Sequence, residues 1–257
     1  MGEVPATVDL ATDVTGTGPV LVLLHGIAED ARSWDPLVAS LASDHTVVTV
    51  DLRGHGRSPE ADTYDPASMA ADVHAALVRD GLDDAPPLVV GHSMGGLIAV
   101  AYAAMFPTRG VIDIDQPLDL TAFQAQVREM EPMLRGDAFA DAIGAVFAAM
   151  RGPLPEDETQ RIASLRQPKR AVVLGVWSPL LDLATDDLDG LVREIADGVD
   201  VPVLALHGID PGPDYPAWLG QRLPSATLEI WPGHGHYPHL VDPERFLTRL
   251  RAFDPAS

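Results

Sequence analysis

The sequence predicts an α/β architecture: a mostly parallel, doubly wound sheet with a helical block inserted late in the chain. Three observations predict it. Through the first 116 residues, short apolar and β-branched runs alternate with helix-length amphipathic segments, the pattern of parallel strands joined by crossover helices. From 117 to about 199 the alternation stops and helical segments dominate. It then resumes with two further apolar runs and a closing helix over 200–257.

Val8–Ala11 and Val20–Leu24 read as early strands, divided by the turn signal Gly16-Thr17-Gly18-Pro19. A helix follows, with Asp35 as its cap and Pro36 at its first position. Leu37, Val38 and Leu41 form one buried stripe along it. Thr46–Val50 is a strand, and Ser68–Asp80 is a helix with Met69, Val73, Ala76 and Leu77 on one face. Leu88–Val90 and Val111–Ile114 are strands flanking a helix over Met94–Met105. Within the helical block, Thr121–Leu134, Asp137–Met150, Asp157–Leu165 and Leu188–Ala196 suit helices, and Pro132 is expected to kink or end the first. Arg170–Leu183 reads both ways, since Ala171-Val172-Val173-Leu174 also fits a strand. Val201–Leu206 and Ala226–Ile230 are the late strands, and Pro243–Phe253 is the last helix.

The bulk properties narrow the function classes. At 257 residues the chain suits one large domain, or one core with an insertion. No apolar run nears the roughly 20 residues that a membrane span needs. The start, Met-Gly-Glu-Val-Pro-Ala-Thr, shows no basic-then-apolar leader, so the cytoplasm is the default expectation. The absence of cysteine excludes disulfides, thiolate metal sites and a cysteine nucleophile. A net charge of −21 with only 17 basic residues opposes binding to nucleic acid or anionic lipid. Neither a Rossmann glycine fingerprint nor a Walker loop is present, so no nucleotide cofactor is implied.

The most informative stretch is Leu88-Val89-Val90-Gly91-His92-Ser93-Met94-Gly95-Gly96. It places G-x-S-x-G between a buried strand and a helix, which lifts Ser93 above the end of the sheet. Leu21–Leu24 runs into His25-Gly26, and Val47–Val50 runs into Asp51-Leu52-Arg53-Gly54-His55-Gly56-Arg57-Ser58. Near the C-terminus lies Trp231-Pro232-Gly233-His234-Gly235-His236-Tyr237-Pro238-His239. With these motifs in this order, the chain resembles the α/β-hydrolase superfamily over nearly its whole length, in particular small serine esterase-like and C–C hydrolase-like members with a helical cap.

The resemblance implies the α/β-hydrolase fold, with the cap over 117–199 inserted after the family's sixth strand. It implies Ser93 as nucleophile and His236 as its base. Two residues compete for the acid that orients the histidine. Family habit takes it from the loop after the seventh strand, here His207-Gly208-Ile209-Asp210-Pro211, where Asp210 comes one residue early. Asp210 is the first choice. Asp115, directly after Ile114, is the alternative. Backbone amides of Ile27 and Met94 are implied as the oxyanion donors. His25 and His92 are expected to brace their loops, and Asp51, Arg53 and Gly54 to organise the Gly-rich one. His234, His236 and His239 also suggest a zinc cluster, but that reading leaves the elbow serine idle, so no metal is expected.

The expected chemistry is cofactor-free hydrolysis of a carboxylic ester, lactone or related carbonyl substrate, small and apolar. A C–C hydrolase, thioesterase or perhydrolase would use the same residues. An epoxide hydrolase or haloalkane dehalogenase is disfavoured, because those place a carboxylate where this chain has Ser93. A non-catalytic small-ligand receptor on the same fold is the rival of another class.

Overall fold

A computed structural model describes residues 6–256; residues 1–5, the start of the segment without a leader pattern, and Ser257 lie outside them. Seven strands form one sheet: β1 (Thr12–Thr15), β2 (Val20–Leu24), β3 (Thr46–Val50), β4 (Leu88–His92), β5 (Gly110–Ile114), β6 (Val203–His207) and β7 (Ala226–Ile230). Their spatial order is β1-β3-β2-β4-β5-β6-β7, and all neighbours are parallel except β1 with β3. The chain winds outward from β2 to β3, then crosses back to β4, so the order reverses between β2 and β4. In open α/β sheets ligands bind at that reversal, beyond the carboxyl ends of the strands. β4, β5 and β6 are buried along their whole length, which is why their sequences are mostly apolar; Asp113 in β5 is the buried exception.

Helices α1 (Asp35–Leu41), α2 (Pro66–Arg79) and α3 (Met94–Met105) alternate with the first strands. Between β5 and β6 lie α4 (Thr121–Arg135), α5 (Phe139–Met150), α6 (Glu156–Leu165), α7 (Arg170–Val176), α8 (Ser178–Asp182) and α9 (Thr185–Asp197). The chain closes with α10 (Tyr215–Arg222), α11 (Pro238–Val241) and α12 (Pro243–Phe253). This chain has one strand fewer ahead of the insertion than the family count implies, so the insertion follows β5. Among the described residues, no helix is long and apolar enough to cross a membrane.

Two apolar layers sandwich the sheet. One joins Met69, Val73 and Leu77 of α2 and Ile98 and Tyr102 of α3 to Val22, Val48 and Val89. The other joins Leu37 and Leu41 of α1 and Phe246 and Leu250 of α12 to Leu21, Leu23 and Val90. The inserted helices have a core of their own, with Val127, Phe139, Ile143, Trp177 and Leu188. The segment around α6 belongs elsewhere: Leu154, Ile162 and Leu165 join the second sheet layer. Arg161 secures it by donating from both terminal nitrogens to the carbonyls of Arg32 and Ser33. The insertion is thus riveted to the loop after β2.

Several local expectations change. Val8–Ala11 is not a strand; its amides go to side chains, Val8 N–H to Asp72 Oδ1 at 2.7 Å and Ala11 N–H to Ser58 Oγ at 2.8 Å. Ladder pairing with β3 begins only at Thr12. Asp35 is the first residue of α1, not its cap, because a 3₁₀ turn over Ala31–Trp34 precedes it and Asp30 caps that turn. Helix α4 continues past Pro132 to Arg135. Ala171–Leu174 is helical, within α7.

Candidate active site

Ser93 is the residue between β4 and α3, and its backbone is unusual: φ 52° and ψ −125°. A side-chain-bearing residue in such a conformation costs about 1–3 kcal/mol and persists only where its surroundings enforce it. Here Ser93 N–H donates to Ile114 O at 2.9 Å, and Ser93 O accepts from Gly96 N–H at 2.7 Å. The two elbow glycines are needed for close approach. A Cβ at Gly91 would meet Gly95 O at 1.9 Å, and one at Gly95 would meet Leu24 O at 2.4 Å. The motif spacing therefore follows from packing, since strand, turn and helix approach too closely for any side chain.

Two other non-glycine residues have positive φ among the described residues, Ala28 at 63° and Asp115 at 53°. All three occur in loops directly after strands β2, β4 and β5. Strain gathered at one sheet edge marks a functional constraint more than a packing accident.

Asp115 is buried, and its carboxylate is fully engaged. Oδ1 accepts from Gly208 N–H at 2.8 Å and Ile209 N–H at 2.9 Å, while Oδ2 accepts from His236 Nδ1 at 2.7 Å. Asp210, the first choice from sequence, is exposed, and its Oδ1 accepts from Gly212 N–H at 2.9 Å in its own turn. The acid against His236 is therefore Asp115, a correction to the expectation from family habit. The loop after β6 contributes backbone amides to the carboxylate on the neighbouring strand, and Asp210 caps the turn beyond.

His236 stands on the loop after β7, held from behind by His92. His92 Nε2 donates to His236 O at 2.8 Å. Burial holds the His92 imidazole well below its usual range, so it is neutral. His25 donates from Nδ1 to Gly26 O at 2.8 Å and accepts Leu52 N–H on Nε2 at 3.0 Å, which braces the loop after β2 against the loop after β3. Asp51 adds a second tie by accepting Ala31 N–H at 2.8 Å. Arg53 is buried, with Nε donating to Asp72 Oδ2 at 2.5 Å. Gly54, with φ +76°, lies against the Tyr64 ring.

Ser93, His236, Asp115, Ile27 and Met94 all line one cavity of about 390 Å³ between the sheet edge and the inserted helices, and the exposed Asp210 also borders it without a hydrogen bond to His236. Leu120, Phe123, Val146, Phe147, Met150 and Trp177 form its apolar side. Among the described residues, no group of histidine and carboxylate side chains is arranged to hold a metal ion. His234 Nδ1 faces the carbonyls of Trp231 and Pro232, and His239 is buried against Trp34 with ring centroids 4.9 Å apart.

One polar feature of the cavity was not foreseen. Glu29 is buried there, and its Oε1 accepts from Tyr237 Oη at 2.6 Å. Tyr237 Oη in turn accepts from Arg166 Nη2 at 2.8 Å. Burial pushes the Glu29 carboxyl above the usual range, against the opposing effects of the Tyr237 bond and the Arg166 charge. The signal in the sequence is an acid three residues past Gly26, in the loop that carries the Ile27 amide. Gln167 N–H also donates to Ala28 O at 2.8 Å, and Arg166 Nε lies 3.9 Å from Glu29 Oε1, so the insertion touches this loop at two adjacent residues.

A serine on a strained elbow, a histidine bonded to a buried carboxylate and a cavity over both define an enzyme of the hydrolase type. The sequence model of the alpha/beta hydrolase family matches residues 21–249. The chain belongs to that family. It is 30% identical to a 2-(acetamidomethylene)succinate hydrolase of Mesorhizobium japonicum, over 93% of this chain and 88% of the relative. It is 32% identical to a pimeloyl-[acyl-carrier protein] methyl ester esterase of Neisseria meningitidis, over 90% and 91%. Among solved structures it is similar to the esterase RhEst1 from Rhodococcus, with a TM-score of 0.74, 26% identity and coverage of 96% and 95%.

Proposed function

We propose that the chain is a serine hydrolase that cleaves a carboxylic ester with an apolar acyl group through an acyl-enzyme. The observation that carries the proposal is the 2.7 Å bond from His236 Nδ1 to Asp115, a carboxylate already fixed by two amides, in the cavity that also holds Ser93. Ser93 Oγ attacks the ester carbonyl carbon while His236 Nε2 takes the hydroxyl proton. The tetrahedral oxyanion is stabilised by the amides of Ile27 and Met94. Met94 is the first residue of α3, so no carbonyl within the helix is available to its N–H. Collapse breaks the bond to the leaving oxygen, which receives its proton from His236. Water then attacks the acyl-enzyme, His236 takes its proton, and the acid and free Ser93 are released. The reaction so written needs no cofactor, and EDTA is expected to leave turnover unchanged.

The similar proteins support this reading, since two of the three are named esterases. The substrate is a small molecule, in keeping with the largely apolar cavity wall. The strongly acidic composition argues against nucleic acid or an anionic membrane as partner.

The test is labelling with a fluorophosphonate together with turnover of a p-nitrophenyl ester. Ser93→Ala should abolish labelling and lower turnover by roughly a millionfold while leaving the far-UV circular dichroism unchanged. Labelling that persists in this variant would place the nucleophile elsewhere.

A further inference from the structure

A second chamber of about 70 Å³ lies beside the catalytic cavity, between α3 and α9. Its lining is almost wholly apolar, with Leu188 and Leu191 of α9 facing the elbow helix. It shares with the catalytic cavity a partition of Met94, Leu120, Phe123 and Trp177, with Gln116 as its one polar member. Phe123 and Trp177 meet edge to face, with ring centroids 5.6 Å apart. We propose that this chamber receives the distal part of the substrate's acyl chain, which makes the enzyme selective for esters of unbranched apolar acids long enough to pass the partition. The proposal rests on the serine-hydrolase reading above.

The direction of the chain follows from the chemistry. His236 must reach the leaving oxygen to protonate it, so the alcohol part of the ester lies on the His236 side of Ser93. His236, Asp115 and Glu29 line the larger cavity and are absent from the lining of the second chamber. The acyl substituent on the attacked carbon points the other way. On that side the residue next to Ser93 is Met94, which borders both spaces. An unbranched thioether side chain changes shape more readily than a branched or aromatic one, so Met94 suits a partition that yields to a flexible chain. The occupant is apolar on the same evidence, because a polar or charged tail would lose its hydration with almost nothing in the chamber to replace it.

The experiment is a series of p-nitrophenyl esters from acetate to decanoate, which varies the acyl chain on one leaving group. For the wild type, kcat/KM should rise by about tenfold or more from acetate to the optimum, as successive methylenes are buried. Leu191→Trp places an indole in the chamber from α9 and should lower the octanoate-to-acetate ratio of kcat/KM by about tenfold. Phe123→Ala opens the partition without filling the chamber and should move the optimum to longer acids. A wild-type profile that is flat or falls with length would overturn the proposal, as would a ratio unchanged in Leu191→Trp or an optimum unmoved in Phe123→Ala. Should Leu191→Trp fail to fold, the wild-type profile and Phe123→Ala decide it. Failure of the hydrolase reading looks different: no ester of any length is turned over and Ser93 is not labelled.

Discussion

Asp115 and Asp210 both follow strands at the same edge of the sheet, yet the molecule uses them in opposite ways. Asp115 leaves β5 in a left-handed conformation, is buried, and holds two amides and an imidazole on its two oxygens. Asp210 leaves β6 three residues after His207, is exposed, and caps its own turn. A third acid sharpens the contrast. Asp113, two residues before Asp115, is buried beneath the elbow helix, and neither of its oxygens makes a well-formed hydrogen bond among the described residues. The lesson is that reach along the strand decides little; what matters is which acid the neighbouring loop supplies with donors. A buried carboxylate without donors is driven toward its neutral form.

Short of replacing the acid itself, the largest effect that can break this comparison comes from the loop that serves Asp115. A Cβ at Gly208 would meet Gly235 O at 2.0 Å, so Gly208→Ala must displace the backbone that donates to Asp115 and the loop that carries His236. It should lower kcat by about a hundredfold, measured on the fastest ester, because a small misplacement of catalytic groups carries a cost of that order. An unchanged kcat would mean that the amide donors do not position the acid.

A smaller effect concerns Asp113. Burial, aided by the Asp115 charge, lifts its carboxyl well above the usual range, and a weak bond from the Gln116 backbone opposes this. The unfolded chain releases this proton near pH 4, whereas the folded protein holds it to higher pH. The native state therefore binds more protons across that interval, and stability from this group is full below about pH 4 and lost as pH rises through the folded value. Asp113→Asn keeps the shape and removes the titration. Its Tm should match the wild type at pH 4 and exceed it at pH 8, by scanning calorimetry or thermal denaturation. A lower Tm at pH 8 than the wild type would show that the ionised form is stabilised instead.

Much of this was legible in the sequence because it rests on local pattern. Strands β2, β3, β4, β5, β6 and β7 are short apolar runs, and the alternation breaks where the inserted helices begin. The elbow at Ser93 was legible because its glycines are forced by contacts within the motif. The partner of His236 was legible only as a choice between Asp210 and Asp115, because Asp115 lies 121 residues away and its selection depends on amides from a third segment, Gly208 and Ile209. Loop position after a strand is visible in sequence; the direction of a carboxylate from it is not. Val8–Ala11 misled for a related reason: its amides bond to Asp72 and Ser58 side chains, acceptors that no local pattern announces. The Glu29–Tyr237–Arg166 chain joins three distant segments and was invisible on the same grounds.

Whether Asp115 or Asp210 orients His236 is measured most directly by comparing kcat for Asp115→Asn and Asp210→Asn on one chromogenic ester. In Asp115→Asn, an oxygen still accepts from Gly208 and Ile209, but the amide nitrogen faces His236 Nδ1 and favours the wrong tautomer. A loss of about ten-thousandfold is expected for Asp115→Asn and less than about threefold for Asp210→Asn, since a turn cap acts on catalysis only indirectly. A collapse of Asp210→Asn with Asp115→Asn near the wild type would contradict the assignment of Asp115 to that role.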